Sequence, residues 1–166
     1  MGDTSAGITV AVLTLSDKGS KGEREDESGL LIREMLKDIK AEVTYYDILP
    51  DEKELIQEKL IEYSSRVDLI LTTGGTGLSP RDVTPEATLE ILDRQVPGIA
   101  EAMRSEGLNI TKRAMLSRSV AGVRGRSLII NLPGSPKAVK ESLSIIIDVI
   151  PHAIQKIKGD ISECAR

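Results

Sequence analysis

The segment VDLILTTGGTGLSPRDVTPEAT, residues 67–88, contains the three elements that set the fold. It begins with an apolar run, which predicts a buried strand over residues 67–72. Two threonines and a glycine-rich turn follow the strand directly. A Thr-Pro-Glu tripeptide then looks like the start of a helix, since proline is favoured in the first helical turn. We predict a strand, a glycine-rich loop and a helix over residues 85–93, in this order.

The same alternation of strand and helix recurs on either side of this segment. Apolar, β-rich runs predict strands at residues 8–15, 42–49, 119–123 and 127–132. Helical spacing of apolar residues, or an opening proline, predicts helices at residues 27–39, 51–64, 97–106 and 136–158. Residues 16–26 are predicted to be a polar loop. Hydrophobic strands that alternate with helices indicate the α/β class, as a three-layer sandwich with a mostly parallel central sheet.

The composition limits the kinds of partner. A length of 166 residues fits one domain with a sizeable core, which we assign to residues 1–166. The formal net charge of −4 makes the chain a poor match for a nucleic-acid backbone. Aromatic residues make up 2% of the chain, too few to build a platform for stacking bases. We therefore expect small-molecule ligands and no nucleic-acid partner.

The expected cellular location depends on features that the sequence lacks. Cys164 is the only cysteine, so no internal disulfide can form and a reducing compartment is the simplest expectation. The N-terminal MGDTSAG has neither the basic nor the apolar region of a signal peptide. The longest apolar clusters are too short to span a bilayer. We expect a cytoplasmic protein with no membrane partner.

Small and acidic residues follow four of the predicted strands, at the point where each strand ends. They are Ser16-Asp17-Lys18-Gly19, Pro50-Asp51-Glu52, Thr73-Gly74-Gly75-Thr76-Gly77 and Asn131-Leu132-Pro133-Gly134-Ser135. The carboxyl ends of parallel strands meet at one edge of the sheet, and ligands of such folds bind there. We therefore expect these four segments to form the binding site.

Gly74, Gly75 and Gly77 give the third segment its chemistry. Without a Cβ the backbone can adopt positive φ and approach a ligand, so that N–H groups and threonine hydroxyls can bind an oxyanion such as phosphate. The loop lacks the Gly-Lys-Ser/Thr of a Walker A motif and the glycine spacing of a dinucleotide fingerprint. A tight strand-to-helix turn would explain the same glycines, so the residues alone leave both interpretations open.

Asp51 and Asp82 each have two candidate roles. Asp51-Glu52-Lys53-Glu54 matches a capping box, worth about 1 kcal/mol, and Asp82 could cap or brace the next helix. Two carboxylates beside a phosphate loop could instead hold Mg²⁺, which uses one or two carboxylates together with phosphate oxygens. Their position at the predicted edge favours the metal role. In the fourth segment, Ser135 is predicted to N-cap the helix that follows.

Other catalytic arrangements lack the necessary residues. His152 is the only histidine, so neither a zinc site nor a Ser-His-Asp or Cys-His constellation can be built. Catalysis would depend on carboxylates, a metal ion and backbone N–H groups, which suits in-line attack on a phosphoryl group. The charged run at residues 23–27 is predicted to be a solvated loop and helix start.

Three motifs, in this order, resemble one known family. LTTGGTGLSPRDVTPEAT at residues 71–88, MLSRSVAGVRG at residues 115–125 and LIINLPGSPKAV at residues 128–139 are similar to those of the MogA/MoaB-type molybdenum cofactor biosynthesis proteins and of gephyrin G domains. The resemblance runs from the first strand to QKIKGD, residues 155–160. It implies a homotrimer with a mostly parallel sheet. It also implies adenylylation of molybdopterin with ATP and Mg²⁺ and release of pyrophosphate.

The resemblance also implies roles for particular residues. It makes Asp51 and Asp82 the acidic pair that adenylyl transfer requires, and we assign both to Mg²⁺ and phosphate handling. It assigns nucleotide and molybdopterin binding to a larger set, namely Asp17, Thr73, Gly74, Gly75, Thr76, Gly77, Ser117, Asn131, Leu132, Pro133, Gly134 and Ser135. The product, adenylyl-molybdopterin, would pass to a molybdenum-insertion enzyme as the downstream partner.

Three alternatives remain. A non-catalytic, MoaB-like molybdopterin-binding protein would share the fold, but the presence of both Asp51 and Asp82 favours the enzyme. A scaffold, as in gephyrin, is disfavoured because no linker or second module is evident. A different nucleotide-binding α/β protein would be recognised by its failure to prefer the pterin. The sequence does not decide between molybdenum and tungsten as the metal that is inserted later.

Overall fold

The computed structural model describes residues 7–161, and Cys164 and most of the N-terminal MGDTSAG lie outside this range. The described residues form one six-stranded, mostly parallel sheet with helices packed on both faces. The predicted three-layer α/β fold is thereby confirmed. No helix within the described range is both long enough and apolar enough to cross a membrane.

The strands set the edge at which the site lies. In chain order they are β1 (Ile8–Leu15), β2 (Ala41–Leu49), β3 (Leu69–Thr73), β4 (Arg94–Gln95), β5 (Ala121–Arg124) and β6 (Ser127–Leu132). Their order in the sheet is β2-β1-β3-β6-β5-β4. The first four of these run parallel, whereas β5 is antiparallel to both of its neighbours. β2 and β3 lie on opposite sides of β1, and ligands bind where the winding of an open α/β sheet reverses in this way.

The helices cover both faces of the sheet. They are α1 (Asp17–Ser20), α2 (Glu27–Met35), α3 (Lys53–Ser64), α4 (Thr84–Leu89), α5 (Pro97–Leu108), α6 (Pro136–Ile146) and α7 (Ile150–Ile157). Short 3-10 segments follow α2 at Leu36–Ile39, follow α5 at Lys112–Leu116, and join α6 to α7 at Ile147–Val149. Helices α2, α5, α6 and α7 pack on one face of the sheet, and α3 and α4 pack on the other.

Alternate residues of each central strand enter different halves of the core. On β1, Val10 and Val12 belong to the cluster formed with α2, α5, α6 and α7, whereas Ala11 and Leu13 belong to the cluster formed with α3 and α4. All four side chains are fully buried. Because the middle of such a strand has no solvent face, it can be wholly apolar, as Val10 to Leu13 are.

Several elements differ from the prediction. The predicted helix over residues 136–158 is divided at Ile147–Val149, because Pro151 lacks the N–H that a continuous helix would donate four residues back. The predicted loop over residues 16–26 contains the single turn α1, where the Ser16 hydroxyl accepts from the N–H of Gly19 at 2.9 Å. The predicted helix over residues 85–93 ends at Leu89, and the two-residue strand β4 that follows it is not predicted.

Candidate active site

Two loops meet at the carboxyl edge of the sheet. We name residues 73–77, at the end of β3, the glycine loop, and residues 133–135, after β6, the Pro-Gly-Ser loop. The Thr73 hydroxyl donates to the carbonyl of Pro133 at 2.6 Å. The N–H of Gly74 donates to the carbonyl of Leu132 at 3.2 Å. Two of the four predicted segments are therefore bonded directly to one another.

The backbone course of the glycine loop requires its glycines. The φ angle is 99° at Gly74 and 68° at Gly75, in the left-handed region that disfavours other residues. A Cβ on Gly75 would lie 2.3 Å from the Thr84 hydroxyl and 3.0 Å from Oδ1 of Asp51. The glycines thus allow a tight turn, and the lack of a Cβ at Gly75 leaves room beside it for the carboxylate of Asp51.

A cavity of about 470 Å³ opens between the two loops, the end of β1 and the start of α2. We name it the acidic cavity for the carboxylates in its wall, which are Glu25, Asp26, Glu27, Asp51 and Asp82. The predicted site residues that line it are Asp51, Thr73, Gly74, Gly75, Asp82, Gly134 and Ser135. The predicted N-cap role of Ser135 is confirmed, since its hydroxyl accepts from the N–H of Ala138 at 3.3 Å. A cavity of this volume is typical of a small-molecule site.

Asp51 lines the acidic cavity and does not cap a helix. The N-cap of α3 is Glu52, which makes no side-chain capping bond, so the structure does not support the alternative role of Asp51 in a capping box. Asp51 and Asp17 instead exchange hydrogen bonds. The N–H of Asp17 donates to Asp51 Oδ2 at 3.2 Å, and the N–H of Asp51 donates to Asp17 Oδ1 at 3.0 Å. Burial, and after it the charge of Asp17, raises the pKa of Asp51 above its ordinary value.

Asp17 braces Asp51 from beside the cavity. Arg81 donates to both carboxylate oxygens of Asp17, from Nε at 3.0 Å and from Nη2 at 2.7 Å. This hydrogen bonding, more than any other cause, lowers the pKa of Asp17 to about 2. Asp17 therefore stays ionised at neutral pH, and its negative charge contributes to the raised pKa of Asp51.

Asp82 reaches the acidic cavity from the connection between β3 and α4. Its Oδ2 accepts from the N–H of Ser79 at 3.0 Å, which closes a turn within that connection. The N-cap of α4 is Val83, without a side-chain capping bond, so the structure does not support the alternative role of Asp82 as a helix cap. A Cβ on Gly77 would lie 2.9 Å from this Oδ2, so the glycine leaves room for the carboxylate.

The second oxygen of Asp51 fits a divalent cation. Oδ1 of Asp51 is buried and has no hydrogen-bond partner. An unsatisfied buried acceptor costs free energy, and a hard cation such as Mg²⁺ would supply its missing partner. Within residues 7–161 no three His, Cys, Asp or Glu side chains are grouped as metal ligands, so a bound ion would take its other ligands from substrate or water. Asp51 and Asp82 together match the one or two carboxylates that a Mg²⁺-nucleotide site uses.

A second cavity, of about 340 Å³, adjoins the same two loops. We name it the arginine cavity because Arg104 and Arg113 line it. Its wall includes four predicted site residues, Thr76, Gly77, Ser117 and Pro133. The rest of the wall comes mainly from α5, α6 and the 3-10 segment after α5, and contains Met103, Ala114, Leu116, Ala138 and Ile145. The predicted site is thus divided between two cavities that share two loops.

Asn131 and Leu132 lie beneath the loops and line neither cavity. Both are fully buried. The Asn131 amide donates to the hydroxyls of Thr72 and Thr88, each at 3.0 Å, and its Oδ1 accepts from the N–H of Val120 at 3.3 Å. This placement does not support the expected contact of these two side chains with a ligand. Asn131 instead fastens β6 to β3 and α4.

Sequence reasoning missed residues that hold the Pro-Gly-Ser loop and the wall of the acidic cavity. The Ser28 hydroxyl donates to the carbonyl of Gly134 at 2.7 Å. Asp26, in the run predicted to be a solvated loop and helix start, caps the N-terminus of α2 and accepts from the hydroxyls of Thr14 and Tyr46. An aspartate directly before a helix is a capping signal, so this role of Asp26 could have been found from the sequence. The long-range bond of Ser28 has no such local signal.

The raised pKa of Asp51 predicts a pH-dependent stability difference. A folded-state pKa above the unfolded value means that ionised Asp51 destabilises the folded chain. This cost is absent at a pH below the pKa of Asp51 in the unfolded chain, and it develops as the pH rises through the higher pKa of Asp51 in the folded chain. We therefore expect Asp51→Asn to be more stable than the native chain at pH 7, and the two to converge at acidic pH. Urea unfolding across this pH range checks this, and a native chain that is the more stable one at pH 7 would contradict it.

The fold and the divided site define a doubly wound α/β protein that has a carboxylate-lined small-molecule site at the carboxyl edge of its sheet. Residues 11–152 match the sequence model of a family described as a probable molybdopterin binding domain. The match covers most of the chain, which therefore belongs to this family.

Individual relatives agree with this assignment. The molybdopterin adenylyltransferase of Helicobacter pylori (strain ATCC 700392 / 26695) is 43% identical over 157 residues, which cover 92% of this chain and 89% of that protein. Gephyrin of Dictyostelium discoideum is 47% identical over 161 residues, covering 90% of this chain and only 22% of its own length. The crystal structure of the molybdopterin biosynthesis enzyme MoaB from Thermus thermophilus has 55% sequence identity and a TM-score of 0.87, and the match covers 92% of this chain and 98% of that one. The resemblance to MogA/MoaB-type proteins is confirmed.

Proposed function

We propose that this protein is a molybdopterin adenylyltransferase of molybdenum cofactor biosynthesis. It transfers AMP from ATP to the phosphate of molybdopterin and releases pyrophosphate. The Helicobacter relative, 43% identical over nearly its full length, carries this name. The structural observation that carries the proposal is the buried, unpartnered Oδ1 of Asp51, at the edge where two cavities share two loops. A reaction that joins two substrates through a phosphate needs adjacent binding sites for both, together with a group that neutralises the charge of the phosphates.

The residues have separable roles in this reaction. Asp51 and Asp82 would hold Mg²⁺, which when bound neutralises charge on the triphosphate. The glycine loop presents backbone to the phosphates of ATP, and Arg81 with Asp17 keeps Asp51 in place. An oxygen of the molybdopterin phosphate attacks the α-phosphorus of ATP, and the bond from that phosphorus to the bridging oxygen of pyrophosphate breaks. An ionised phosphate needs no general base, which agrees with a site built from carboxylates.

We place the pterin half of the second substrate in the arginine cavity. Ser117, Thr76 and Pro133 line this cavity, and the last two belong to the loops that also line the acidic cavity. A flat bicyclic ring suits a largely apolar wall with a few polar groups. The phosphate of molybdopterin would then lie close to the glycine loop, where we place the phosphates of ATP.

Filling the arginine cavity should weaken the binding of molybdopterin and leave that of ATP nearly unchanged. Ser142 of α6 lines it, and Ser142→Phe would occupy part of its volume. We expect the KM for molybdopterin to rise by at least about tenfold, or about 1.4 kcal/mol, with the KM for ATP nearly unchanged. The matched control is Ser144→Phe, on the same helix at an exposed position outside both cavities. Initial rates with each substrate varied in turn provide the measurement, and a selective rise in the KM for ATP would reverse the assignment.

Pyrophosphate release tests the proposed activity. The native chain is incubated with ATP and Mg²⁺, with and without molybdopterin. Release that requires molybdopterin supports the transferase. Tight binding of molybdopterin without release would instead identify a non-catalytic MoaB-like binding protein.

The wider setting of the protein is also part of the proposal. We propose that residues 1–166 form one domain, that three copies assemble as a homotrimer in the cytoplasm, and that the product passes to a molybdenum-insertion enzyme. The family match over a single stretch, residues 11–152, supports one domain. The trimer is an implication of the resemblance, and light scattering of the purified chain measures its mass directly.

A further inference from the structure

Arg118 lies between the two cavities and lines neither of them. Its neighbours Ser117 and Ser119 belong to the wall of the arginine cavity. The Arg118 side chain is one-third exposed and bonds the backbone of Gly77, which lines the arginine cavity, and of Asp82, which lines the acidic cavity. It is therefore placed to act on the site without contacting either substrate.

The Arg118 guanidinium bonds both ends of the segment that carries Asp82. Nε donates to the carbonyl of Gly77 at 2.8 Å, and Nη2 donates to the carbonyl of Asp82 at 2.7 Å. Nη1 pairs with the carboxylate of Glu86 on α4. The backbone N–H of Arg118 adds a bond to the carbonyl of Thr76 at 3.0 Å. One residue thus joins the glycine loop, Asp82 and the first turn of α4.

Within the described residues, the segment from Gly77 to Asp82 has two anchors outside itself, which are Arg118 and the pair that its own Arg81 forms with Asp17. Leu78 within it is 65% exposed, and Ser79 to Arg81 are exposed as well. Asp82 Oδ2 is held locally by the N–H of Ser79, which belongs to the same exposed segment. The position of Asp82 relative to Asp51 therefore depends on these two anchors. Arg81 ties the segment to Asp17, and Arg118 is the one that bonds its backbone carbonyls at both ends.

We propose that Arg118 is a positioning residue that sets the separation of Asp82 from Asp51 and so determines the affinity for the Mg²⁺-nucleotide. The inference rests on the proposed function. The planar guanidinium presents several donors in a fixed fork, which allows it to bond two carbonyls and a carboxylate at once. Lysine would keep the positive charge but lack the planar set of donors that reaches all three oxygens at once.

The test measures metal binding directly. Mn²⁺ is titrated by electron paramagnetic resonance in the presence of α,β-methylene-ATP, whose α–β linkage cannot be cleaved. We expect Arg118→Lys to raise the Mn²⁺ dissociation constant by about tenfold or more, and Arg118→Ala to raise it at least as much. The Mg²⁺ concentration that half-activates pyrophosphate release should shift in parallel, while the KM for molybdopterin changes little.

The matched control is Arg124→Ala. Arg124 is also partly buried and also donates to a backbone carbonyl, that of Ile91 at 2.7 Å, but it lies outside both cavities. A merely structural role would make the Arg118 variants resemble this control, with lowered unfolding temperature and unchanged Mn²⁺ affinity. That result would overturn the inference, as would absence of Mn²⁺-nucleotide binding by the native chain. If the native chain binds Mn²⁺-nucleotide but releases no pyrophosphate, the proposed function fails, and the Arg118 affinities still decide the inference.

Discussion

Asp51→Asn is expected to lower kcat for adenylyl transfer by about 10²–10³-fold, the size of effect that loss of one charge-stabilising group in an active site has. Asn keeps the size of the side chain and an oxygen that can accept the N–H of Asp17. It removes the negative charge at the buried, unpartnered Oδ1 position where we place the cation. The fold should therefore persist while metal handling is lost.

Steady-state pyrophosphate release at saturating Mg²⁺ and ATP measures this effect. The matched control is Glu52→Gln, an exposed carboxylate on the next residue that makes no capping bond. It should retain activity close to that of the native chain. If Asp51→Asn keeps more than about a tenth of the native kcat, Asp51 does not have the role we assign to it.

Gly74→Ala is expected to give the largest loss of stability. Its Cβ would lie 2.4 Å from the carbonyl oxygen of Leu15, a backbone atom in the buried strand β1 that cannot move aside. The left-handed φ of 99° adds strain of about 1–2 kcal/mol for any residue with a Cβ. Together these should lower the free energy of unfolding by about 3 kcal/mol or more, because severe core clashes lie in that range.

Gly125→Ala separates the two causes. Gly125 also has a positive φ, 57°, but a Cβ there meets nothing within 4 Å. It should therefore show the backbone strain alone, about 1–2 kcal/mol. Urea unfolding of both variants gives the comparison. Equal losses of unfolding free energy in the two variants would show that the contact with Leu15 does not contribute to the destabilisation.

The strands were predictable because their pattern is local. β1, β3 and β6 are largely buried on both faces, so each is centred on an apolar run with few polar residues. β4 could not be found in this way, since Arg94 and Gln95 are exposed and form an edge strand that pairs only with β5. The final helix is predicted as one piece because its apolar spacing continues through Pro151, whose missing N–H interrupts the helix.

The site was predictable to the extent that it follows from strand order. Asp51 and the glycine loop come together because parallel strands end at one edge. At Asp51 the local pattern alone favours a capping box, but Glu52 is the N-cap, and the position at the edge of the sheet is the better guide. Asn131 is polar, as a ligand-binding residue would be, but its amide donates to the buried hydroxyls of Thr72 and Thr88 beneath the loops. The bonds from Arg118 to Gly77 and Asp82 span 41 and 36 residues, which no local motif encodes.

The most direct test of the central claim follows two phosphorus labels. The native chain is incubated with molybdopterin, Mg²⁺ and ATP that carries ³²P at either the α or the γ position, and the pterin product is separated from pyrophosphate. Adenylyl transfer predicts that the α label appears on the pterin, one per molecule, and that the γ label appears only in pyrophosphate. Appearance of the γ label on the pterin, or of neither label despite bound molybdopterin, would contradict the account.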